Sequence, residues 1–307
     1  MIGGATRMRR AKLCGRLQSA VMSTPQTVEK TLLLGHSPDP DDAFMHFALA
    51  ADRLDTGGLT FEHKLEDIET LNRRAVHGDY DITAVSIHGY AFVADKYALL
   101  NHGASMGEDY GPRIVAREEF GLEELQKGRG KRLAIPGEWT SAHLAAQMRL
   151  GEYDYEIVEF DQIPNAVAEG KYDAGVLIHE GQLTFQDQGL VLLDDLGVWW
   201  GKETGGLPLP LGGNTVRRDH GDLIPVISKL LQDSIRYGLE NREEAVKYSL
   251  QFGRDLDLAK ADEFIAMYVN DRTLDYRDSG RESVKLFLER AHKMGLIPAV
   301  PPLDFVR

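Results

Sequence analysis

The sequence predicts an α/β protein with two similar lobes and a ligand cleft between them. Short apolar runs alternate with stretches whose apolar residues recur at helical spacing, which is typical of strands followed by helices. In addition, the phrase Gly-x-Tyr-Asp stands at residues 78–81 and again 92 residues later, at residues 170–173. Each copy predicts a helix ended by glycine, a tight turn and a buried strand. Two copies of one unit favour two lobes over one long sheet, although such a unit can also arise twice by chance.

The composition indicates a soluble globular protein whose partner is a small molecule. The chain has 307 residues, of which 43% are hydrophobic and 27% charged, which suits one large or two mid-sized domains. Its net charge of −13 leaves no basic surface for a nucleic acid or an anionic membrane. Cys14 is the single cysteine, which excludes an intrachain disulfide and a cysteine zinc cluster and fits a reducing compartment.

The first 30 residues are predicted to form a flexible tail. Five basic residues lie between positions 7 and 16, and Arg16 and Gln18 interrupt the apolar stretch, which argues against an export signal. The folded part is expected to begin near Lys30, with Met8 or Met22 as alternative start sites. No stretch approaches the roughly 18 uninterrupted apolar residues of a membrane span, so we expect a cytoplasmic protein.

A turn rich in aspartate follows the first predicted strand. Its sequence is Ser-Pro-Asp-Pro-Asp-Asp at residues 37–42, and helical spacing begins directly after it. Two prolines force an extended turn, and we expect Asp41 and Asp42 to cap the helix while Asp39 faces the cleft. Ligands bind beyond the carboxyl ends of strands in open α/β sheets, so Ser37, Asp39 and Asp42 are candidate ligand contacts.

The apolar run of the second repeat ends in an imidazole. His179 follows residues 174–178, so its side chain is expected to point into the crevice beyond a buried strand. A neutral imidazole can take a proton near neutral pH, which makes His179 the candidate catalytic base; the alternative is a hydrogen-bonded histidine at a strand end. Ser86 ends the matching strand and is expected to face His179. His88 is a second candidate base, although a solvated loop histidine is the simpler interpretation.

A second turn predicts an anion site. Residues 132–136 predict a strand and residues 142–150 a helix, so Thr140 and Ser141 lie at the helix start. A helix N-terminus presents unpaired N–H groups and about half a positive charge, to which the two hydroxyls add donors. Plain N-capping by either residue is the alternative. The sequence has no Gly-x-Gly-x-x-Gly or Walker-type loop, so a nucleotide cofactor is not predicted.

The last third of the chain is predicted to be mostly helical. Residues 205–214 are rich in glycine and proline, and they predict a crossing between the lobes that continues neither a helix nor a central strand. From Leu223 onward apolar residues recur at core spacing, and a last helix is predicted for residues 281–294. Residues 268–270, Tyr-Val-Asn, are the stretch of this part that is expected to reach the cleft.

Four phrases spread over the chain carry a family resemblance. They are Ser-Pro-Asp-Pro-Asp-Asp-Ala-Phe at 37–44, Asp-Ile-Glu-Thr-Leu-Asn at 67–72, Leu-Ile-His-Glu at 177–180 and Gly-Gly-Leu-Pro-Leu-Pro-Leu-Gly at 205–212. Together they resemble the 1,4-dihydroxy-6-naphthoate synthase family of the futalosine route to menaquinone, from about Thr31 to the C-terminus. The resemblance implies a two-lobed type II periplasmic-binding-protein fold. Lobe 1 is then formed by residues 31–113 and 214–307, and lobe 2 by residues 114–213.

The resemblance also implies an activity. A small carboxylated substrate, cyclic dehypoxanthine futalosine, is converted to 1,4-dihydroxy-6-naphthoate by ring opening with His179 as the base, and without a metal or organic cofactor. Ser86 matches a cleft serine of the family, and Ser141 with Ala142 match its Thr-Ala at a helix start, where substrate oxygens are held. Two alternatives stay open: a non-catalytic solute-binding protein of the same fold, and chorismate dehydratase, which lacks the Ile-His-Glu phrase.

Two positions depart from the family pattern. Members carry Ser-Pro-Cys-Pro-Asn-Asp, whereas this chain has Asp39 and Asp41 in place of the cysteine and the asparagine. Carboxylates that are neither capped nor neutralised repel an anionic substrate. Unless Asp39 and Asp41 are capped or neutralised, a related but different substrate is therefore expected.

Overall fold

The computed structural model describes residues 29–179, 181–252 and 257–307. The predictions for the N-terminal tail, including Cys14 and the alternative starts Met8 and Met22, lie outside the described residues. Within these described ranges, no helix combines the length and the apolar character that crossing a membrane requires.

The strands and helices are numbered in chain order. The strands are β1 (Lys30–His36), β2 (Leu59–Leu65), β3 (Ile82–Ser86), β4 (Tyr97–Leu99), β5 (Ser105–Gly107), β6 (Arg113–Ala116), β7 (Arg132–Ile135), β8 (Asp154–Ile157), β9 (Ala174–Leu177), β10 (Val191–Asp195) and β11 (Leu209–Arg217). The α-helices are α1 (Pro40–Ala50), α2 (Ile68–Ala75), α3 (Ile87–Tyr90), α4 (Ser141–Leu150), α5 (Ile163–Ala168), α6 (Gly181–Thr184), α7 (Leu196–Thr204), α8 (Ile224–Glu240), α9 (Arg242–Ser249), α10 (Leu258–Tyr268), α11 (Asp271–Leu274) and α12 (Arg277–Lys293).

These strands form two separate sheets. The first has the order β2-β1-β3-β11-β4, with β5 paired to β11; β1 is parallel to β2 and β3, and β11 is antiparallel to β3. The second has the order β10-β6-β9-β7-β8, with β7 parallel to β8 and β9, and β6 antiparallel to β9. The first lobe here means the first sheet with α1, α2 and α3, and the second lobe means the second sheet with α4 and α5. The predicted two-lobed α/β architecture is confirmed, while the boundaries at residues 113 and 213 stay a prediction.

The internal repeat forms equivalent units in the two sheets. After α2, Gly78 takes a φ of 76° and β3 follows; after α5, Gly170 takes a φ of 77° and β9 follows. Glycine adopts this left-handed conformation at no steric cost, which explains why it recurs at this point of both copies. β3 lies between β1 and β11, and β9 lies between β6 and β7. Each copy therefore supplies a central strand, as the repeat predicts.

Residues 209–214 belong to a central strand, so the expectation that this tract cannot continue a central strand is wrong for them, while the crossing between the lobes stays a prediction. β11 lies between β3 and β4 and also pairs with β5. Pro210 lacks an N–H group, and it is tolerated where the register between β11 and β5 shifts. Gly213 is required by a close contact, because a Cβ there would lie 2.2 Å from the hydroxyl oxygen of Tyr276. The glycines and prolines that suggest a loop are thus explained by neighbours distant in sequence.

The C-terminal helices follow the predicted apolar spacing. α8 begins at Ile224, next to the predicted Leu223, and α12 covers Arg277–Lys293 against the predicted 281–294. α12 packs on α7 through a buried indole, because Trp200 donates its N–H to the hydroxyl of Ser283 at 2.9 Å. Helices α8 and α12 both pack against β11 of the first sheet.

Candidate active site

A cavity lies between the two lobes. It contains about 730 Å³ of space outside protein atoms, open solvent at its mouth included, which is within the range of small-molecule sites. The ends of β3 and the middle of β11 line it from the first lobe, and the start of α4 and the residues after β9 line it from the second. The sequence-predicted site residues that line it are Ser37, Asp42, Ser86, Thr140, Ser141, Ala142 and His179. Asp41 lines it as well, whereas Asp39 lies against His179.

His179 has the most unusual conformation in the cavity. Its φ is 57°, a left-handed value that is uncommon outside glycine and concentrates at functional sites. The imidazole contacts the ring of Phe160 in a T-shaped arrangement, with 4.7 Å between the ring centroids. Nδ1 lies 3.3 Å from Oδ2 of Asp39, a close contact without hydrogen-bond geometry, and both that oxygen and Nε2 are buried without a hydrogen-bond partner among the described residues. The ring is therefore held on one side while its second nitrogen is unpaired.

The aspartates of the first turn do not divide their roles as predicted. Asp39, not Asp41 or Asp42, occupies the N-cap position of α1, and no side-chain hydrogen bond caps the helix. The helix begins earlier than expected because Pro40, with its fixed φ, suits the first helical position. Asp42 instead accepts the N–H of Ser37 at 2.8 Å. The capping prediction for Asp41 and Asp42 is wrong, and Asp39 contacts the imidazole of the candidate base.

Burial reduces the negative charge of Asp41 and Asp42 in this turn. Burial raises the pKa of Asp41 well above its usual value, and the nearby Asp42 raises it further. Burial also raises the pKa of Asp42 to about 6, although the hydrogen bond from the Ser37 N–H opposes that shift. A protonated Asp41 does not repel an anion. The charge at these positions is therefore smaller than the sequence suggests.

The start of α4 is organised by its own hydroxyls. Thr140 accepts the N–H of His143 at 3.1 Å and donates to the carbonyl of Gly137 at 2.8 Å, so the N-capping interpretation is confirmed. The hydroxyl of Ser141 donates to the carbonyl of Leu211 in the first lobe at 2.6 Å. Both hydroxyl hydrogens are thus engaged by main-chain carbonyls. The donors that a helix N-terminus provides here are the N–H groups of its first turn, at Ser141 and Ala142.

Two residues of the Asp-Ile-Glu-Thr-Leu-Asn phrase join the lobes. Asn72 is fully buried; it accepts the N–H of Ser86 at 2.8 Å and donates to the Ser86 hydroxyl at 3.1 Å and to the Trp139 carbonyl at 3.2 Å. Glu69 accepts the N–H of Trp139 at 2.9 Å. Sequence reasoning missed both roles, although the phrase itself was the available signal. α2 therefore positions Ser86 and the turn before α4 together.

His88 is buried rather than solvated, so the expectation of a loop histidine is wrong. It lies in α3 with 4% of its surface exposed, and its Nδ1 donates to the carbonyl of Thr140 at 3.2 Å. Burial lowers the pKa of His88 to about 4. It is not among the residues that line the cavity. His88 is therefore a neutral, buried residue that links α3 to the start of α4 through its hydrogen bond to Thr140.

The chain also matches a known family. Residues 32–293 match the family model described as menaquinone biosynthesis. The chain belongs to the menaquinone biosynthesis family. The family resemblance inferred from the four sequence phrases is thereby confirmed.

Two curated relatives within the menaquinone biosynthesis family are named 1,4-dihydroxy-6-naphthoate synthase. The chain is 36% identical to the Thermus thermophilus protein over 278 residues, which cover 90% of this chain and 100% of the relative. It is 34% identical to the Streptomyces coelicolor protein over 281 residues, which cover 89% of this chain and 96% of the relative. The prediction of a menaquinone-biosynthesis enzyme is confirmed at the level of the family.

Solved structures confirm the predicted fold. A protein from Archaeoglobus fulgidus superposes with a TM-score of 0.81 at 42% identity, covering 87% of this chain and 98% of that protein. A Candida albicans protein, described as having the generic periplasmic binding protein fold, superposes with a TM-score of 0.60 at 14% identity, covering 90% of this chain and 98% of that protein. The second likeness concerns the fold alone, which is the two-lobed architecture expected for this menaquinone biosynthesis family member.

Three further residues of this family member line the cavity. Tyr268 reaches it, as its sequence position predicts, whereas Gln182 and Asn214 were missed. Gln182 lies in α6, directly after His179 in the fold, and its N–H donates to the His179 carbonyl at 3.1 Å. Asn214 could not be found, because it lies in the stretch predicted to be a crossing.

Proposed function

We propose that this protein converts cyclic dehypoxanthine futalosine to 1,4-dihydroxy-6-naphthoate in menaquinone biosynthesis, with His179 as the catalytic base. The observation that carries the proposal is the position of the imidazole: Nε2 is buried and unpaired in a cavity residue, and Nδ1 lies 3.3 Å from Asp39. The two curated relatives that carry the synthase name support the same reaction. No metal or organic cofactor takes part in the proposed reaction.

The imidazole has the environment that a general base requires. A hydrogen on Nδ1 that is directed at the Asp39 carboxylate leaves the lone pair on Nε2. When Nε2 takes a proton from a carbon acid of the substrate, the carboxylate stabilises the imidazolium that forms. The electron pair of the broken C–H bond then forms a double bond while the bond to the leaving ring atom breaks. That atom takes the proton from the imidazolium, which opens the ring. Asp39 is therefore proposed as a positioning residue, and His179 as the residue that touches the reacting atoms.

The start of α4 is the proposed site of the substrate carboxylate. The N–H groups of Ser141 and Ala142 and the helix dipole attract an anion, and Thr140 fixes the helix start. No lysine or arginine is among the described residues that line the cavity. The helix terminus is thus the positive feature there. Ser37, Asp42 and Ser86 are proposed to contact other polar groups of the substrate from the first lobe.

Two further properties belong to the same proposal. The lobes are proposed to close on the substrate about hinges near Arg113 and Gly213, which excludes water from the base. A cytoplasmic location is proposed because the substrate is an intermediate of biosynthesis. Small-angle scattering with saturating substrate tests closure through the radius of gyration, and cell fractionation tests the location.

The reaction is tested directly by incubating the purified protein with cyclic dehypoxanthine futalosine and separating the products by chromatography. We expect 1,4-dihydroxy-6-naphthoate from the wild type and far less from His179→Ala, which still binds the substrate. Binding by both proteins without product would support a solute-binding function, whose present support is the fold alone. Turnover of chorismate in place of the futalosine derivative would identify a dehydratase.

A further inference from the structure

The cavity collects buried polar atoms that have no partner within the protein. Among the described residues, such atoms in the cavity lining are Asp41 Oδ1, His179 Nε2, Gln182 Oε1, Tyr268 Oη and both amide atoms of Asn214. Roughly 90% or more of buried polar groups in proteins are hydrogen-bonded, because an unpaired buried polar group destabilises the fold. The position of His179 is explained by the proposed chemistry. Gln182, Tyr268 and Asn214 have no such role, and their concentration in one cavity indicates that a ligand supplies their partners.

Asn214 is held firmly at the cavity wall. It is 1% exposed, and its main chain is paired with Ala84 of β3. Its carbonyl accepts the N–H of Leu100 at 3.0 Å. The side-chain amide packs on Gly103, where a Cβ would lie 2.2 Å from Nδ2. The absence of a side chain at residue 103 thus makes room for the amide, and the packing fixes its orientation.

Tyr268 and Gln182 extend this polar surface. Both are buried, and Gln182 has its main chain anchored, since its N–H donates to the carbonyl of His179 at 3.1 Å and its carbonyl accepts from Arg113. Burial, and then Tyr110, raise the pKa of Tyr268, and the nearby Gln182 opposes that shift although no hydrogen bond of normal geometry joins the two side chains. Tyr268 is therefore a protonated hydroxyl that is close to the Gln182 amide and has room for a ligand atom.

The chemistry of these three side chains selects a class of ligand group. Amides and phenols are neutral, and each offers both a donor and an acceptor. Besides burial, Asp41 raises the pKa of Tyr268 and Arg113 lowers it, so the two opposing charges favour neither an anionic nor a cationic ligand group at this surface. A hydroxyl group fits, because it donates to an amide or carboxylate oxygen and accepts from an amide N–H or a phenol. Two or more hydroxyls on neighbouring carbons of a saturated ring satisfy several of these atoms at once.

The proposed carboxylate site at the start of α4 lies beside an earlier residue of β11, the strand that carries Asn214. Leu211 of β11 contacts the hydroxyl of Ser141 at the start of α4, and Asn214 stands three residues later. At about 3.4 Å per residue in an antiparallel strand, the two positions are about 10 Å apart. That separation suits the two ends of one small molecule. We propose that Asn214, Gln182 and Tyr268 form a subsite for ring hydroxyl groups, while the start of α4 takes the carboxylate.

The proposed subsite rests on the proposed function, and it names the side chains that would determine the specificity of the enzyme for its substrate. It is tested with calorimetric dissociation constants in the His179→Ala background, where substrate is not consumed. The two probes are cyclic dehypoxanthine futalosine and its analogue in which hydrogen replaces the ring hydroxyls. Asn214→Ala and Tyr268→Phe are each expected to weaken substrate binding by about 10–100-fold, and to change binding of the deoxy analogue by less than about 2-fold.

Tyr276→Phe is the matched control. Tyr276 is also fully buried with an unpaired hydroxyl, but it does not line the cavity among the described residues, so both dissociation constants are expected to stay unchanged. Tyr268→Phe removes a single oxygen and carries the test if Asn214→Ala fails to fold.

The outcomes separate the subsite from the reaction. Equal effects of Tyr268→Phe on both probes, or none, overturn the subsite, while product formation by the wild-type protein still upholds the reaction. Loss of discrimination between the probes, without product formation by the wild type, supports the subsite and overturns the reaction. If the protein that carries only His179→Ala binds neither probe and the wild type forms no product, both proposals are overturned. If the wild type forms product, the subsite is then tested with the same variants through the KM of the active protein.

Discussion

The two copies of the repeated helix-turn-strand unit end differently at the cavity. Ser86, at the end of β3, has its N–H and its hydroxyl both paired with Asn72. His179, after β9, has a left-handed backbone and an unpaired ring nitrogen. Departures from local structural rules concentrate at functional sites, because selection retains strain only where it serves a purpose. The difference supports the proposal that the first copy positions the substrate and that the second performs the chemistry.

The largest effect is expected at His179. His179→Asn keeps a residue type that tolerates left-handed backbone while removing the base, so kcat should fall by about 10²–10⁴ with little change in substrate dissociation constant or melting temperature. Steady-state kinetics, calorimetry and thermal melting measure the three quantities, with Ser86→Ala as the comparison at the other strand end. Near wild-type turnover by a well-folded His179→Asn protein would remove the assignment of the base.

Asp39→Asn should have the next largest effect. An amide keeps the shape but removes the charge that stabilises the imidazolium, and the same change in a serine-protease triad costs about 10⁴ in kcat. The 3.3 Å contact is longer than a strong charge-assisted hydrogen bond, so we expect a fall of about 10–100-fold in kcat with a smaller change in KM. Asp41→Asn makes the same chemical change at a carboxyl away from the imidazole and serves as the control. A lowered melting temperature with unchanged kinetics would make Asp39 structural.

Buried histidines predict a loss of stability in acid. Burial lowers to about 4 the pKa of His36, His63, His88 and His143. Between pH 6.5 and 4 the unfolded chain then binds more protons than the folded one, so the free energy of unfolding falls as the pH falls through that window. Asp42 acts in the opposite sense between about pH 6 and 3.8, because its pKa is raised to about 6 in the folded state, and it offsets part of the loss.

Substitution of His88, which lies two residues after Ser86, measures the contribution of one buried histidine to the pH dependence of stability. His88→Gln keeps a donor towards the Thr140 carbonyl but cannot be protonated, so the pH dependence of the unfolding free energy between pH 6.5 and 4 should become shallower. Urea denaturation at several pH values measures this slope. An unchanged slope would show that His88 is protonated equally in the folded and unfolded states.

The smallest effect is expected from Ser86→Ala. The Ser86 N–H keeps its bond to Asn72, so the loss should be about 1 kcal/mol of unfolding free energy and a few-fold in KM. Asn72→Ala leaves the Ser86 N–H and the Trp139 carbonyl without their partner and should cost more, about 1–3 kcal/mol. Denaturant titration compares the two variants. The comparison of the strand ends fails if Ser86→Ala lowers kcat as much as His179→Asn does.

The sequence predicts those parts of the site that depend on local pattern. The repeat predicts both central strands, and the polar residue after each apolar run predicts Ser86 and His179. Local pattern fails where a residue owes its role to a distant partner. Pro210 is accommodated by a register shift against β5, and Asn214 has its place because Gly103, more than a hundred residues earlier, has no side chain. Asp39 was expected at the cleft, but only the folded chain brings it to an imidazole 140 residues away.

The contacts between α2 and the turn before α4 affect how fast the protein can release product and bind new substrate. The N–H and the carbonyl of Trp139 are bound by Glu69 and Asn72, so the proposed opening of the lobes would require both bonds to break. Each such bond contributes about 0.5–1.5 kcal/mol, and the population of open molecules falls accordingly. In many enzymes that enclose their substrate, product release rather than chemistry limits kcat. Here the ceiling on turnover would be set by two side chains of α2 that never touch the substrate.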